Sequence, residues 1–139
     1  MAAKVKRQER LKQALALAAT VETVLVATAD GDGCPHVAVA GKIHMLADDR
    51  VAVSEWFCPG TVSNLEKNPR ISLVVWDPIA DTGYQLTGAV ERVEELAFLN
   101  GYLPEGEGAR PVPQTERRLT VGVTRIIPFS RAPHTDERD

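Results

Sequence analysis

Aromatic residues are scarce in this sequence: Phe, Trp and Tyr together make up 5% of its 139 residues. A core must therefore be built mainly from Val, Leu, Ile and Ala. Cysteine is scarce too. Cys34 and Cys58 stand apart with no CxxC spacing, which excludes a disulfide framework. No apolar run reaches the roughly 18–20 residues of a membrane span. The longest, Leu15 to Ala29, is broken by Thr20, Glu22 and Thr23. The N-terminus opens on charged residues and lacks the apolar centre and small-residue cleavage site of a signal peptide. A cytoplasmic location without membrane attachment is expected. A basic excess is missing as well: the formal net charge is −3, which argues against a nucleic-acid partner. Lys4, Lys6, Arg7, Arg10 and Lys12 cluster, but with Glu9 among them they read as one solvated helix face.

What is present is ordinary for a globular chain, with 44% apolar and 25% charged residues. The length suits one domain over residues 1–139. Val5, Leu11, Leu15 and Ala18 can share one helical face, so a helix is expected over about 4–18. The β-branched run Val21 to Ala29 reads as a strand. Asp30-Gly31-Asp32-Gly33 carries hairpin-turn chemistry. A second strand is expected from His36 to Leu46, with Gly41 as a bulge, then a turn at Asp48-Asp49 and a third strand from Arg50 to Glu55. A short helix from Thr61 to Asn68 ends at Pro69, which disfavours the α region for the residue before it. Arg70 to Trp76 is nearly all apolar and reads as a strand buried on both faces. Gly83 to Val93 alternates as a fifth strand. Glu94 to Leu103 reads as a second short helix, Pro104 to Pro113 as a loop, and Arg118 to Phe129 as the sixth strand. A polar, frayed tail is expected over about 130–139. The order is mainly β with flanking helices. Six short strands with hairpin turns point to a closed antiparallel barrel rather than an open sheet, and without βαβ alternation a Rossmann domain is excluded.

Motifs of chemistry are few. His36 and His44 would share a face of one strand, but no carboxylate or cysteine joins them at ligand spacing, so no metal site is expected. No Ser–His–Asp arrangement, GxGxxG or GxxxxGK is legible. Cys58 reads as a small apolar residue rather than a redox thiol. No catalytic residue can be assigned.

Three blocks of sequence resemble one family. They are Val24 to Val37, a hairpin around Asp30-Gly31-Asp32-Gly33; Thr61-Val62-Ser63-Asn64-Leu65-Glu66-Lys67-Asn68-Pro69-Arg70, of the form T-x-x-N-L-x-x-N-P-R; and Gly83 to Glu91, a strand ending in glycine. Their order and spacing resemble the FMN-binding split barrels of the pyridoxamine 5′-phosphate oxidase-like family, above all its short members. The longer C-terminal part that carries the substrate residues of full-length pyridoxamine phosphate oxidases has no counterpart. The resemblance implies a six-stranded antiparallel split β-barrel and a homodimer with FMN at the subunit interface. It also implies an FMN-dependent oxidoreductase with a small-molecule redox partner. A non-enzymatic FMN-binding electron carrier, or a binder of a deazaflavin or haem, is the alternative.

The same resemblance nominates a cofactor set. A dianionic phosphate suits a helix N-terminus, so Gly60, Thr61 and Asn64 are candidates. On its residues alone Thr61 serves equally as a helix cap and Asn64 as a surface residue. Glu55, Trp56 and Phe57 lie where the family passes the flavin ring, although Trp56 and Phe57 could instead pack on a partner subunit. Trp76 and Gln85 are candidates for contacts across the dimer. Many members carry a basic residue just before the Thr, where this chain has Gly60, and an arginine near the position of Ala38. Lys42 is then the remaining cation for the phosphate.

Overall fold

The computed structural model describes residues 2–56, 59–102 and 111–136. Helix α1 (Ala2–Val21) leads into β1 (Val24–Ala29), β2 (Pro35–Ala40), β3 (Lys42–Ala47) and β4 (Arg50–Trp56). Helix α2 (Pro59–Lys67) follows, then β5 (Arg70–Asp77), β6 (Thr82–Tyr102) and β7 (Pro111–Pro128). The strands form one antiparallel sheet in the order β2-β1-β5-β6-β7-β4-β3. The chain is mainly β with flanking helices, as its alternation implies.

Period-two patterning decides which face is core. Val24 and Val26 of β1, Ile71, Leu73 and Val75 of β5, Leu86 of β6, Val51 and Val53 of β4, and Leu119, Val121 and Val123 of β7 are all buried together. Leu11, Ala14 and Ala18 of α1 join them, at the three- and four-residue spacing of one helix face. Val5, placed on that face by the sequence pattern, is instead 59% exposed. At 3.6 residues per turn, Val5 stands about 120° around the helix from Leu11, off the face that meets the sheet.

Local chemistry sets the connections. Helix α1 ends where Glu22 adopts φ 55 and its N–H donates to the carbonyl of Ala18, so Val21 closes the helix rather than opening β1. In the β1–β2 turn, Asp30 Oδ1 accepts from the N–H groups of Asp32 (2.8 Å) and Cys34 (2.9 Å). Asp49 turns β3 into β4 with φ 55. Pro59 opens α2, where a residue without an N–H costs nothing, so Thr61 lies inside the first turn and not at a cap. Pro69 ends it.

Three expectations are corrected. The strand from His36 to Leu46 is two strands, broken at Gly41, because β2 pairs with β1 while β3 pairs with β4. The sheet therefore has seven strands rather than six. The helix expected over Glu94 to Leu103 is the extended second half of β6 as far as Tyr102. Pairing with β7, including Glu94 with Arg118 and Glu95 with Arg117, outweighs the helix propensity of Glu, Leu and Ala, as tertiary context commonly does. Correspondingly, Pro111 to Pro113 belong to β7; residues 103–110 of the expected helix and loop lie outside the described residues. Finally, β5 is buried on one face alone within a single chain, with Ser72, Val74 and Trp76 half-buried.

The polar tail is tied down at its start. Trp76 Nε1 donates to Asp81 Oδ1 at 3.1 Å, and the N–H of Arg131 donates to both oxygens of Asp81 at 3.0 and 3.1 Å. The Arg131 guanidinium stands 5.2 Å from the centre of the Trp76 ring, and Phe129 meets that ring edge-on. Residues 137–139 lie outside the described residues.

Candidate functional site

Helix α2 lies against β1 and β2. Its first turn holds Gly60 and Thr61, whose N–H groups are among the first four of the helix and so lack partners within it. Thr61 is fully buried, and its hydroxyl oxygen has no hydrogen-bond partner among the described residues. A buried unpaired hydroxyl is costly, about 1–3 kcal/mol, and marks a place where a polar ligand atom is wanted.

One turn on, Asn64 Nδ2 donates to the hydroxyl of Thr28 on β1 at 3.0 Å. Thr28 in turn faces His36 across the β1–β2 pair. The imidazole of His36 reaches α2 itself: a Cβ built on Gly60 would lie 3.1 Å from it. The structure thus gathers Gly60, Thr61 and Asn64, from the expected cofactor set, with Thr28 and His36. These are first-turn helix N–H groups, a hydroxyl with no partner among the described residues and an exposed imidazole. That donor set fits an anionic group such as a phosphate.

The other expected residues sit elsewhere. Lys42 opens β3 and is in register with Ser54 of β4, which is in register with Arg118 of β7. It lines a cavity of about 460 Å³ with Ala18, Glu22 and His44. Gln85 and Trp76 lie on the sheet face opposite the core, where Gln85 Nε2 donates to Ser72 Oγ at 2.7 Å. The indole N–H of Trp76 is already taken by Asp81. The backbones of Glu55 and Trp56 pair with Arg117 and Glu116; their side chains, and all of Phe57, lie outside the described residues. Ala38 is half-buried on the same face of β2 as His36.

The break at Gly41 also separates His36 from His44, so the two do not share a strand face. No group of three or more potential metal ligands occurs among the described residues.

The sequence reading missed His36 and Thr28 as parts of this site. The turn Asp30 to Gly33 sets their register and was legible. The seating of α2 on that pair is a tertiary contact with no local signal.

The face opposite the core is apolar across β2 and β1 as far as Val74 of β5, and turns polar at Ser72 and on β6. Val37 and Val39, each 60% exposed, sit beside Ala27 and Leu25, and these beside Ser72 and Val74. Gln85 and Thr87 complete the row. The charged pairs lie away from it: Arg50 Nε meets Glu91 Oε1 at 2.6 Å. The hydrogen bond and charge of Glu91 hold the Arg50 guanidinium above its ordinary range. Arg7 meets Asp49 at 2.9 Å.

Comparison with known proteins adds three kinds of likeness. The family model for pyridoxamine 5′-phosphate oxidase matches residues 10–118. An uncharacterised protein of Methanocaldococcus jannaschii is 26% identical over 114 residues, covering 81% of this chain and 76% of that one. Among solved structures, HupZ of Group A Streptococcus superposes with a TM-score of 0.60 at 21% identity, over 87% of this chain and 94% of the other. An FMN-binding protein of Syntrophomonas wolfei does so with a TM-score of 0.62 at 18% identity, over 92% and 91%. Both share the split-barrel fold. No helix among the described residues is long and apolar enough to cross a membrane.

Proposed function

The chain belongs to the pyridoxamine 5′-phosphate oxidase family, and from that premise we propose that it is a cytoplasmic FMN-binding flavoprotein. In this reading it is an FMN-dependent oxidoreductase serving a small-molecule redox partner. It acts as a homodimer with its cofactor sites at the subunit interface.

The observation that carries the reading is the fully buried hydroxyl of Thr61 in the first turn of α2, which has no partner among the described residues. The helix N–H groups and that hydroxyl would hold the phosphate tail. Gln85 and Trp76 lie on the opposite sheet face, so a ligand held at α2 of one subunit would meet them on the other. The face of β2, β1, β5 and β6 opposite the core, apolar across β2 and β1, is where a second copy would sit. Bound FMN supplies the hydride or electron transfer, and the protein orients it. The site offers no other general acid or base beside His36 among its described residues.

Absorbance of the purified protein before and after addition of FMN tests the reading. Flavin bands that co-elute with the protein are expected. Protein that stays colourless and fails to take up FMN overturns it. Bleaching of the bound flavin by a nicotinamide nucleotide is expected of the oxidoreductase; flavin that no small donor bleaches identifies a carrier instead.

A further inference from the structure

We propose that His36 is the cationic contact for the cofactor's phosphate, working in the space that Gly60 leaves open. The inference rests on the flavin reading above and supplies the charge which that reading lacks.

Gly60 sits in the first turn of α2. A Cβ on it would lie 3.1 Å from both Cε1 and Nε2 of His36, and 3.6 Å from Nδ1. The imidazole therefore fills the volume that any larger residue at position 60 would enter. Glycine at 60 and histidine at 36 are a matched pair. Two ties hold the ring there: the register of His36 with Thr28, and the hydrogen bond from Asn64 of α2 to Thr28. The ring is exposed, and the Thr61 hydroxyl, without a partner among the described residues, is one residue beyond Gly60.

Neither a helix N–H nor a threonine hydroxyl brings a full positive charge. An imidazolium does, and imidazole changes charge within the physiological range. Its N–H to a phosphate oxygen is a charge-assisted hydrogen bond, about twice as strong as a neutral one. A phosphate oxygen attracts a charged imidazole ring more than a neutral one, so this contact is expected to contribute more to binding in acid than in base.

Other charged groups belong to the elements around His36. Asp30 and Asp32 stand in the turn before β2. Lys67 closes α2, and its Cδ would lie 4.0 Å from a Cβ on Gly31. On β4, Glu55 is in register with Arg117. Comparison with His36→Gln removes their contributions, and that of the phosphate's own ionisation, from the measured pH dependence.

The test is the affinity of the full chain for FMN and for riboflavin, which lacks the phosphate, between about pH 6 and about pH 8. His36→Gln is expected to weaken FMN about tenfold at the acid end, to match wild type at the basic end, and to leave riboflavin unchanged. Gly60→Lys alone pushes against the ring and weakens FMN. Gly60→Lys with His36→Ala puts an ammonium in the vacated volume, restores FMN affinity and leaves only the pH dependence that His36→Gln also shows. Circular dichroism confirms that each variant is folded. Wild type and His36→Gln binding FMN alike at every pH overturns the proposal and leaves the flavin reading standing. So does an equal loss for riboflavin. Wild-type protein that takes up no FMN at any pH overturns both.

Discussion

A Cβ on Gly88 would lie 1.9 Å from the carbonyl oxygen of Gly122. Here β6 and β7 approach backbone to backbone, at the point where their register shifts between Thr87 and Gly88. Only a residue without a side chain fits. Gly88→Ala must move a strand, and such overpacking costs typically 1–3 kcal/mol, occasionally more. At Gly122 a Cβ would meet the Glu91 carboxylate at 3.0 Å, the far end of a side chain that can swing away. We therefore expect Gly88→Ala to lower the midpoint of urea denaturation strongly and Gly122→Ala much less. Equal midpoints for the two variants would contradict the close approach.

Asp81 ties three separate pieces of chain together. Its backbone is left-handed, with φ 53, and its carboxylate accepts from the Trp76 indole and from the Arg131 N–H. Asp81→Ala loses both bonds and places alanine where φ is unfavourable. A destabilisation of roughly 2–3 kcal/mol is expected. Asp81→Asn keeps one acceptor oxygen and a residue that tolerates the left-handed region, so it should cost less than half as much. Thermal denaturation followed by Trp fluorescence reads both, and the ordering Ala worse than Asn is the point under test.

The same node shows how far the sequence could be read. Trp76 and the tail after Phe129 are distant in sequence, and nothing local announces that Arg131 stacks on the indole. The hairpin at Asp30 to Gly33, the helix stop at Pro69 and the alternation Leu119, Val121, Val123 were legible because each rests on neighbours a few residues apart. The break at Gly41 was not, since both halves of that segment have strand character. Only their different partners, β1 and β4, separate them. The stretch from Glu94 went wrong for a related reason: its propensity is helical, and its extended form depends on β7 lying beside it. At the site, Thr61 and Asn64 are legible from a motif and Gly60 from its place at the start of the helix. His36 was noticed only as a possible metal ligand, because its meeting with α2 depends on how that helix seats on the sheet.

The Thr61 hydroxyl separates a binding role from a structural one. Thr61→Val keeps the shape and removes the oxygen. Within the described residues that oxygen has no partner, so its removal should leave the unliganded protein as stable as wild type, or up to about 1 kcal/mol more stable. FMN affinity should fall several-fold, as loss of one hydrogen bond of about 1 kcal/mol implies. Calorimetry for stability and a fluorescence titration for affinity check the two halves. A less stable variant with unchanged affinity would make Thr61 a structural residue.

The edge strand β2 presents Val37 and Val39 to solvent at 60% exposure each, beside the apolar row that runs through Leu25 and Val74. An exposed apolar edge of this kind is a liability unless something covers it. A second copy of the chain covers it in the homodimer proposed above. Val37→Glu combined with Val39→Glu puts like charges across the two-fold contact without touching the core, because both side chains point away from Val24 and Val26. Sedimentation equilibrium should give a dimer for wild type and a folded monomer for the double variant. The variant should also lose FMN uptake, since Gln85 and Trp76 of the second subunit are then no longer in place. A double variant that remains dimeric would move the interface to another face. One that becomes monomeric yet still binds FMN as wild type does would place the whole cofactor site within a single subunit.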